Sequence, residues 1–189
     1  MKTKRIILGS QSPRRQGLIK ELGLPVEIMV SDVEEVYPSD LDPENVPRYL
    51  AKLKASGIST ELNEGDLLIT SDTIVLLNND ILEKPRDKDH AINMIKRLSN
   101  TRHEVLTCVY LKSCDHDKTL TCKTSVFFDE LTNEEIEHYV DKFKPYDKAG
   151  SYAIQEWIGF IGIKKIEGCY YNVMGLPLHD IYQCMKREF

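Results

Sequence analysis

Asp66-Leu67-Leu68-Ile69-Thr70-Ser71-Asp72-Thr73-Ile74-Val75-Leu76-Leu77-Asn78-Asn79-Asp80 is the stretch from which the fold is read. Two apolar runs of strand length flank Thr70-Ser71-Asp72-Thr73, and Asn78-Asn79-Asp80 has the composition of a hairpin turn. An acid between two such runs lies at or inside a sheet. Buried there, it is costly unless it is paired or binds a metal. Asp72 is thus a candidate magnesium ligand or general base. A turn residue between two strands is the alternative, and for these four residues alone it is the simpler reading.

Working outward, residues 5–8 form an apolar strand, and Ser12-Pro13 then reads as a helix N-cap with proline at the first helical position. Leu18, Ile19 and Leu22 make the inner stripe of that helix, Gly23 ends it, and residues 26–30 read as a second strand. Val46, Tyr49, Leu50 and Leu53 recur at i, i+3, i+4 and i+7, an amphipathic helix. Ala91, Met94, Ile95 and Leu98 give another, started by Asp87. Residues 103–112 and 119–128 alternate as strands. Thr132 and Glu135 make a capping box ahead of Ile136, Tyr139, Val140 and Phe143. Residues 158–166 read as strand-rich, and Leu178, Ile181, Tyr182 and Met185 as a last helix. Strands and helices mixed in this order predict an α/β or α+β architecture. With no linker in view, residues 1–189 read as one domain.

The chain has 189 residues, 41% hydrophobic and 29% charged, with a formal net charge of −5. That sign argues against a nucleic acid polymer or an anionic membrane as partner, so an anionic ligand must meet cations gathered locally. The longest apolar runs are strand-sized, and the run after the basic N-terminus is too short for a signal peptide. Five cysteines form no C-x-x-C pair, which argues against disulfides or a cysteine zinc site and for a reducing, cytoplasmic setting. The five histidines have no metal-site spacing and receive no catalytic role.

Candidate phosphate donors concentrate in Gly9-Ser10-Gln11-Ser12-Pro13-Arg14-Arg15, between strand and helix. A helix N-terminus suits an anion, and guanidinium matches phosphate oxygens as a bidentate fork. An N-cap with two solvated arginines is the alternative. Lys84, in Glu83-Lys84-Pro85, reads as a phosphate contact or a solvated loop lysine. Asp147-Lys148-Ala149-Gly150-Ser151-Tyr152-Ala153-Ile154-Gln155 offers Gly150 for close backbone approach. Gln155 has a side-chain amide able to complement the imide edge of uracil or thymine, or to face water. Asp32-Val33-Glu34-Glu35, with Lys54 on the helix behind it, reads as metal-facing or as a solvated loop, and the run Gly168–Pro177 as a shaped packing loop. There is no G-x-x-x-x-G-K-[ST] loop and no G-x-G-x-x-G.

Taken in order, S-x-S-P-R-R (residues 10–15), S-D-T-I-V (71–75), K-P (84–85), D-K-A-G-S-Y-A-I-Q (147–155) and Y-N-V-M-G-L-P (171–177) closely resemble the Maf family of nucleoside triphosphate pyrophosphatases. The resemblance runs from about residue 5 to about residue 180. It implies an α/β fold similar to inosine triphosphate pyrophosphatases, with a mixed sheet, flanking helices and two lobes around a cleft. It implies hydrolysis of a nucleoside triphosphate to the monophosphate and pyrophosphate with a divalent cation, Mg2+ or Mn2+. On this resemblance Asp72 is the proton acceptor and, with Glu35, the metal ligand. Ser10, Arg14, Lys54, Lys84 and Lys148 surround the triphosphate, while Arg15, Thr73 and Gln155 read the base. S-P-R-R, D-T and I-Q are similar to the branch acting on dTTP and UTP. The 7-methyl-GTP branch carries tryptophan before the arginine and D-Q. A non-catalytic nucleotide-binding regulator of cell division is the competing expectation, and a homodimer is compatible with the chain. Gly9, Leu53 and Glu83 depart from the residues usual in the family.

Overall fold

The computed structural model describes residues 2–189. The elements follow the chain as β1 (Arg5–Gly9), α1 (Pro13–Lys20), β2 (Val26–Ile28), α2 (Val46–Ser56), β3 (Asp66–Leu77), β4 (Asp80–Leu82), α3 (Lys88–Leu98), β5 (Arg102–Lys112), β6 (Asp117–Phe128), α4 (Asn133–Phe143), α5 (Trp157–Gly162), β7 (Ile163–Glu167), α6 (Tyr170–Val173) and α7 (Leu178–Glu188). The strands bond in the order β2-β1-β3-β5-β6-β7, with β4 on β3. This is the mixed α/β sheet with flanking helices that the sequence predicts. Among the described residues no helix is long and apolar enough to cross a membrane. The chain divides into two compact units.

The first unit comprises Met1–Asp72, Thr107–Cys122 and Gly175–Phe189. Here β1 pairs in parallel with both β2 and β3, Arg5 opposite Asp66 and Gly9 opposite Thr70. Ile6, Ile7 and Leu8 are fully buried, as a strand with a parallel neighbour on each side requires. Arg5 grips both oxygens of Asp66 at 2.9 and 2.7 Å and reaches Glu27 at 2.8 Å, tying the starts of all three strands together. Ile7, Ala55 and Leu68 pack with Met29, Ile58, Leu62 and Tyr110. The turn alternative at residues 70–73 is wrong: β3 runs through them without a break. Thr70 donates from its hydroxyl to the Ala51 carbonyl at 2.6 Å, so this polar side chain stays in the strand because helix α2 supplies a partner. Helix α1 stops at Lys20, leaving Leu22 outside it, while Gly23 has φ +73° and donates to the Lys20 carbonyl. Tyr49 and Tyr182, assigned to inner stripes above, are instead about 40% exposed.

The second unit comprises Thr73–Leu106 and Lys123–Met174. Asn78 and Asn79, at φ 52° and 69°, make the two-residue turn that sets Leu77 opposite Asp80. Helix α3 starts at the Asp87 cap and buries Ala91, Met94, Ile95 and Leu98 as its spacing predicts. Helix α4 starts at the complete Thr132–Glu135 capping box and buries Ile136, Tyr139 and Val140. These faces close over Val75, Leu77, Val105, Val126 and Phe128. The stretch 158–166 departs from its strand reading. Residues up to Gly162 close a short helix, and only Ile163–Glu167 pairs, antiparallel to β6. An apolar run of this length fits either period.

His103 is buried in this second core, with Nε2 2.7 Å from the Tyr152 hydroxyl and Nδ1 without a partner. Burial holds its pKa down at about 3, against 6.5 for the free side chain. Between these values the unfolded chain binds the proton and the folded one does not. Stability is therefore fully present above about pH 6.5 and declines by about 1.4 kcal/mol per unit as pH falls towards 3. Denaturant unfolding at pH 7.5 and pH 5 measures this. His103→Gln is expected to be less stable at both, with the difference between them smaller by about 2 kcal/mol.

Candidate active site

In the first unit the S-x-S-P-R-R segment forms the turn from β1 into α1. Ser12 caps the helix by accepting from the Arg15 amide, and Pro13 stands at its first position. Ser10 is buried, and its hydroxyl accepts from the Ser12 amide at 3.2 Å. Gly9 ends β1. A Cβ there would lie 2.4 Å from Ile58 Cδ1 and 2.5 Å from Thr70 Cγ2. Arg14 is half-buried in the first turn of α1. The guanidinium of Arg15 turns inward, donating from Nε to the Gly175 carbonyl at 2.8 Å and from Nη1 to the Ser71 carbonyl at 3.0 Å. Burial pushes Arg15 below its usual pKa, Asp72 and Glu35 draw it back up, and Arg14 opposes them. Arg15 is thus a brace between the strand carrying Asp72 and the Gly175 turn. Read from sequence alone, that turn has a packing role only.

Asp72 lies on β3, 8% exposed, and Oδ1 accepts from Lys54 Nζ at 2.6 Å. The same ammonium is 2.8 Å from Glu35 Oε2. Helix α2 delivers Lys54 in its last turn, and the loop after β2 delivers Glu35, about half exposed. Two carboxylates separated by 37 positions in the chain therefore meet on one cation. Burial raises the Asp72 pKa above the usual carboxylate range; Lys54 and Arg15 oppose the rise, and Glu35 adds to it. A carboxyl displaced upward is a candidate general base.

Whether these residues suit a divalent cation can be judged from the donors. Glu35 and Asp72 offer hard carboxylate oxygens converging on a position that already attracts positive charge. Mg2+ takes one or two protein carboxylates and completes its shell with phosphate oxygens and water, so the pair fits it. Among the described residues there is no group of three or more His, Cys, Asp or Glu able to hold a metal.

In the second unit Thr73 follows Asp72 on β3, half-buried, and Lys84 is exposed beside exposed Glu83. The Glu83 carbonyl accepts from the Gly150 amide at 3.2 Å. Gly150 has φ +69°, and a Cβ there would press on Val75 at 3.1 Å, so conformation and packing both call for glycine. Lys148 is buried, its ammonium 2.8 Å from Asp147 Oδ1 and 3.5 Å from Glu156 Oε1. Gln155 is half-buried, and its amide oxygen is enclosed without a hydrogen-bond partner. Such an unpaired acceptor is costly where it stands. Glu156 was not singled out in the sequence; an acid directly after Gln155 and near Lys148 was the available signal.

A family model described as Maf-like protein matches residues 5–188. A protein named dTTP/UTP pyrophosphatase from Christiangramia forsetii is 50% identical over 186 residues, 98% of this chain and 95% of that one. Proteins of the same name from Flavobacterium johnsoniae and Porphyromonas gingivalis are 48% and 44% identical, covering 97% and 98% of this chain and 94% and 95% of theirs. Among solved structures, the Staphylococcus aureus Ham1 protein aligns with a TM-score of 0.48 at 16% identity, over 66% of this chain and 72% of that one.

Proposed function

Because the chain belongs to the Maf-like protein family, we propose that it hydrolyses dTTP and UTP to the nucleoside monophosphate and pyrophosphate. The observation that carries this reading is the meeting of Glu35 and buried Asp72 on Lys54, together with relatives at 44–50% identity that bear the name dTTP/UTP pyrophosphatase.

In this reading Asp72 takes a proton from a water that attacks the α-phosphorus. A bond forms from that oxygen to phosphorus, and the bond to the bridging oxygen of the β-phosphoryl group breaks. Pyrophosphate leaves as an anion. Ser10, Arg14 and the start of α1 bind phosphate oxygens, and Lys54, Lys84 and Lys148 supply charge to the leaving group. Glu35 and Asp72 would hold Mg2+ or Mn2+, which neutralises phosphate charge when bound. Arg15, Thr73 and Gln155 read the pyrimidine, and Arg15 also holds Ser71 beside Asp72. The five cysteines are free thiols, which accords with a cytoplasmic setting.

The test is incubation with UTP, dTTP, CTP and ATP in Mg2+, with products identified. Pyrophosphate and monophosphate from UTP and dTTP, well ahead of the other two, are expected. Binding without turnover would favour the regulator, and orthophosphate a different phosphohydrolase.

A further inference from the structure

We infer that Tyr139 and Glu156 form a clamp that positions Gln155 for base recognition, and that Glu156 links this clamp to Lys148. The inference rests on the reading of Gln155 as the base-facing residue. Residues 153–156 form a turn closed by the Glu156 amide donating to the Ala153 carbonyl at 3.1 Å. Both ends of this turn converge on one atom. The Ala153 amide donates to the Tyr139 hydroxyl at 3.2 Å, and that hydroxyl donates to Glu156 Oε2. Gln155 lies between the two anchored residues. The other Glu156 oxygen, Oε1, lies 3.5 Å from Lys148 Nζ, which Asp147 holds on its other side.

Tyr139 is fully buried on α4 and stacked on Phe143 at 5.0 Å, so phenylalanine would fill its place in the core. The hydroxyl is what packing does not require. Its effect is on the stem of Gln155. A side-chain amide can turn over and present oxygen or nitrogen, so it separates uracil from cytosine only if it is anchored and has one favoured orientation. The clamp fixes the backbone from which Gln155 projects, and so limits the positions its amide can take beside the imide N–H of uracil or thymine. Tyr139 and Glu156 are positioning residues, and their substrate class is the uracil or thymine base of the same nucleotide.

The experiment uses the full chain and the non-hydrolysable α,β-imido analogues of UTP and CTP, with Kd measured by calorimetry. Wild type is expected to prefer the uridine analogue. Tyr139→Phe and Glu156→Ala are each expected to erode that preference about tenfold, the scale of one lost hydrogen bond at a reading group. Glu156→Gln keeps an acceptor for the Tyr139 hydroxyl and is expected to retain the preference. Amide exchange at Ala153 is expected to accelerate in Tyr139→Phe. Glu156→Ala, at a partly exposed site, serves should Tyr139→Phe fold poorly. An unchanged preference in both weakened variants overturns the clamp, as does equal loss in Glu156→Gln, which would mark a purely structural role. A wild type with no preference also overturns it. A wild type that prefers the uridine analogue yet releases no pyrophosphate from UTP overturns the hydrolytic reading and leaves the clamp standing.

Discussion

Asp72→Asn is expected to keep the fold and to lower turnover of UTP and dTTP about 100-fold or more, the scale of a lost general base. Asparagine retains an oxygen able to accept from Lys54, and the strand around residue 72 is held by contacts that do not involve its charge. The Thr70 hydroxyl donates to Ala51, and Arg15 donates to the Ser71 carbonyl. What disappears is the basic carboxylate, whose pKa burial had raised. Steady-state kinetics with a melting curve checks this. Turnover near that of wild type would remove Asp72 from the chemistry.

Lys54→Met is expected to cost both activity and stability. The ammonium is the shared partner of Asp72 at 2.6 Å and Glu35 at 2.8 Å, and its side chain is largely buried. Methionine fills the stem and leaves two carboxylates facing each other. Loss is expected towards the low end of the roughly 3–5 kcal/mol seen when one partner of a buried ion pair is removed. The kcat/KM for UTP is expected to fall about 100-fold, as for a lost preorganised charge at a phosphoryl centre. Mg2+ without nucleotide should recover part of the lost melting temperature in Lys54→Met, by restoring positive charge between Glu35 and Asp72. It should not do so in the double variant Lys54→Met/Asp72→Asn. Equal recovery in both would argue against these two carboxylates as the metal ligands.

Local patterns in the sequence carried much of the fold. Asn78-Asn79 announced its hairpin because two adjacent residues at positive φ leave few alternatives. Helices α3 and α4 announced themselves through a cap and a periodic face lying within a dozen residues. The passage of β3 through Thr70-Ser71-Asp72 was not legible. The partners that let Thr70 and Asp72 sit in a buried strand, the Ala51 carbonyl and Lys54, come from a helix some 20 positions earlier. For the same reason the meeting of Glu35, Lys54 and Asp72 was available only through resemblance. Residues 158–166 misled because an apolar run of that length fits a helix as well as a strand. Tyr139 reads as core from its helical stripe, and that stripe does not disclose what a buried hydroxyl holds.

Hydrolysis of UTP in 18O-labelled water, followed by 31P NMR and mass spectrometry of the products, tests most directly whether water primed by Asp72 attacks the α-phosphorus. The expected result is unlabelled pyrophosphate together with one 18O in the phosphate of UMP. Label in pyrophosphate, or release of orthophosphate with UDP, would place the attack at another phosphorus and contradict the account.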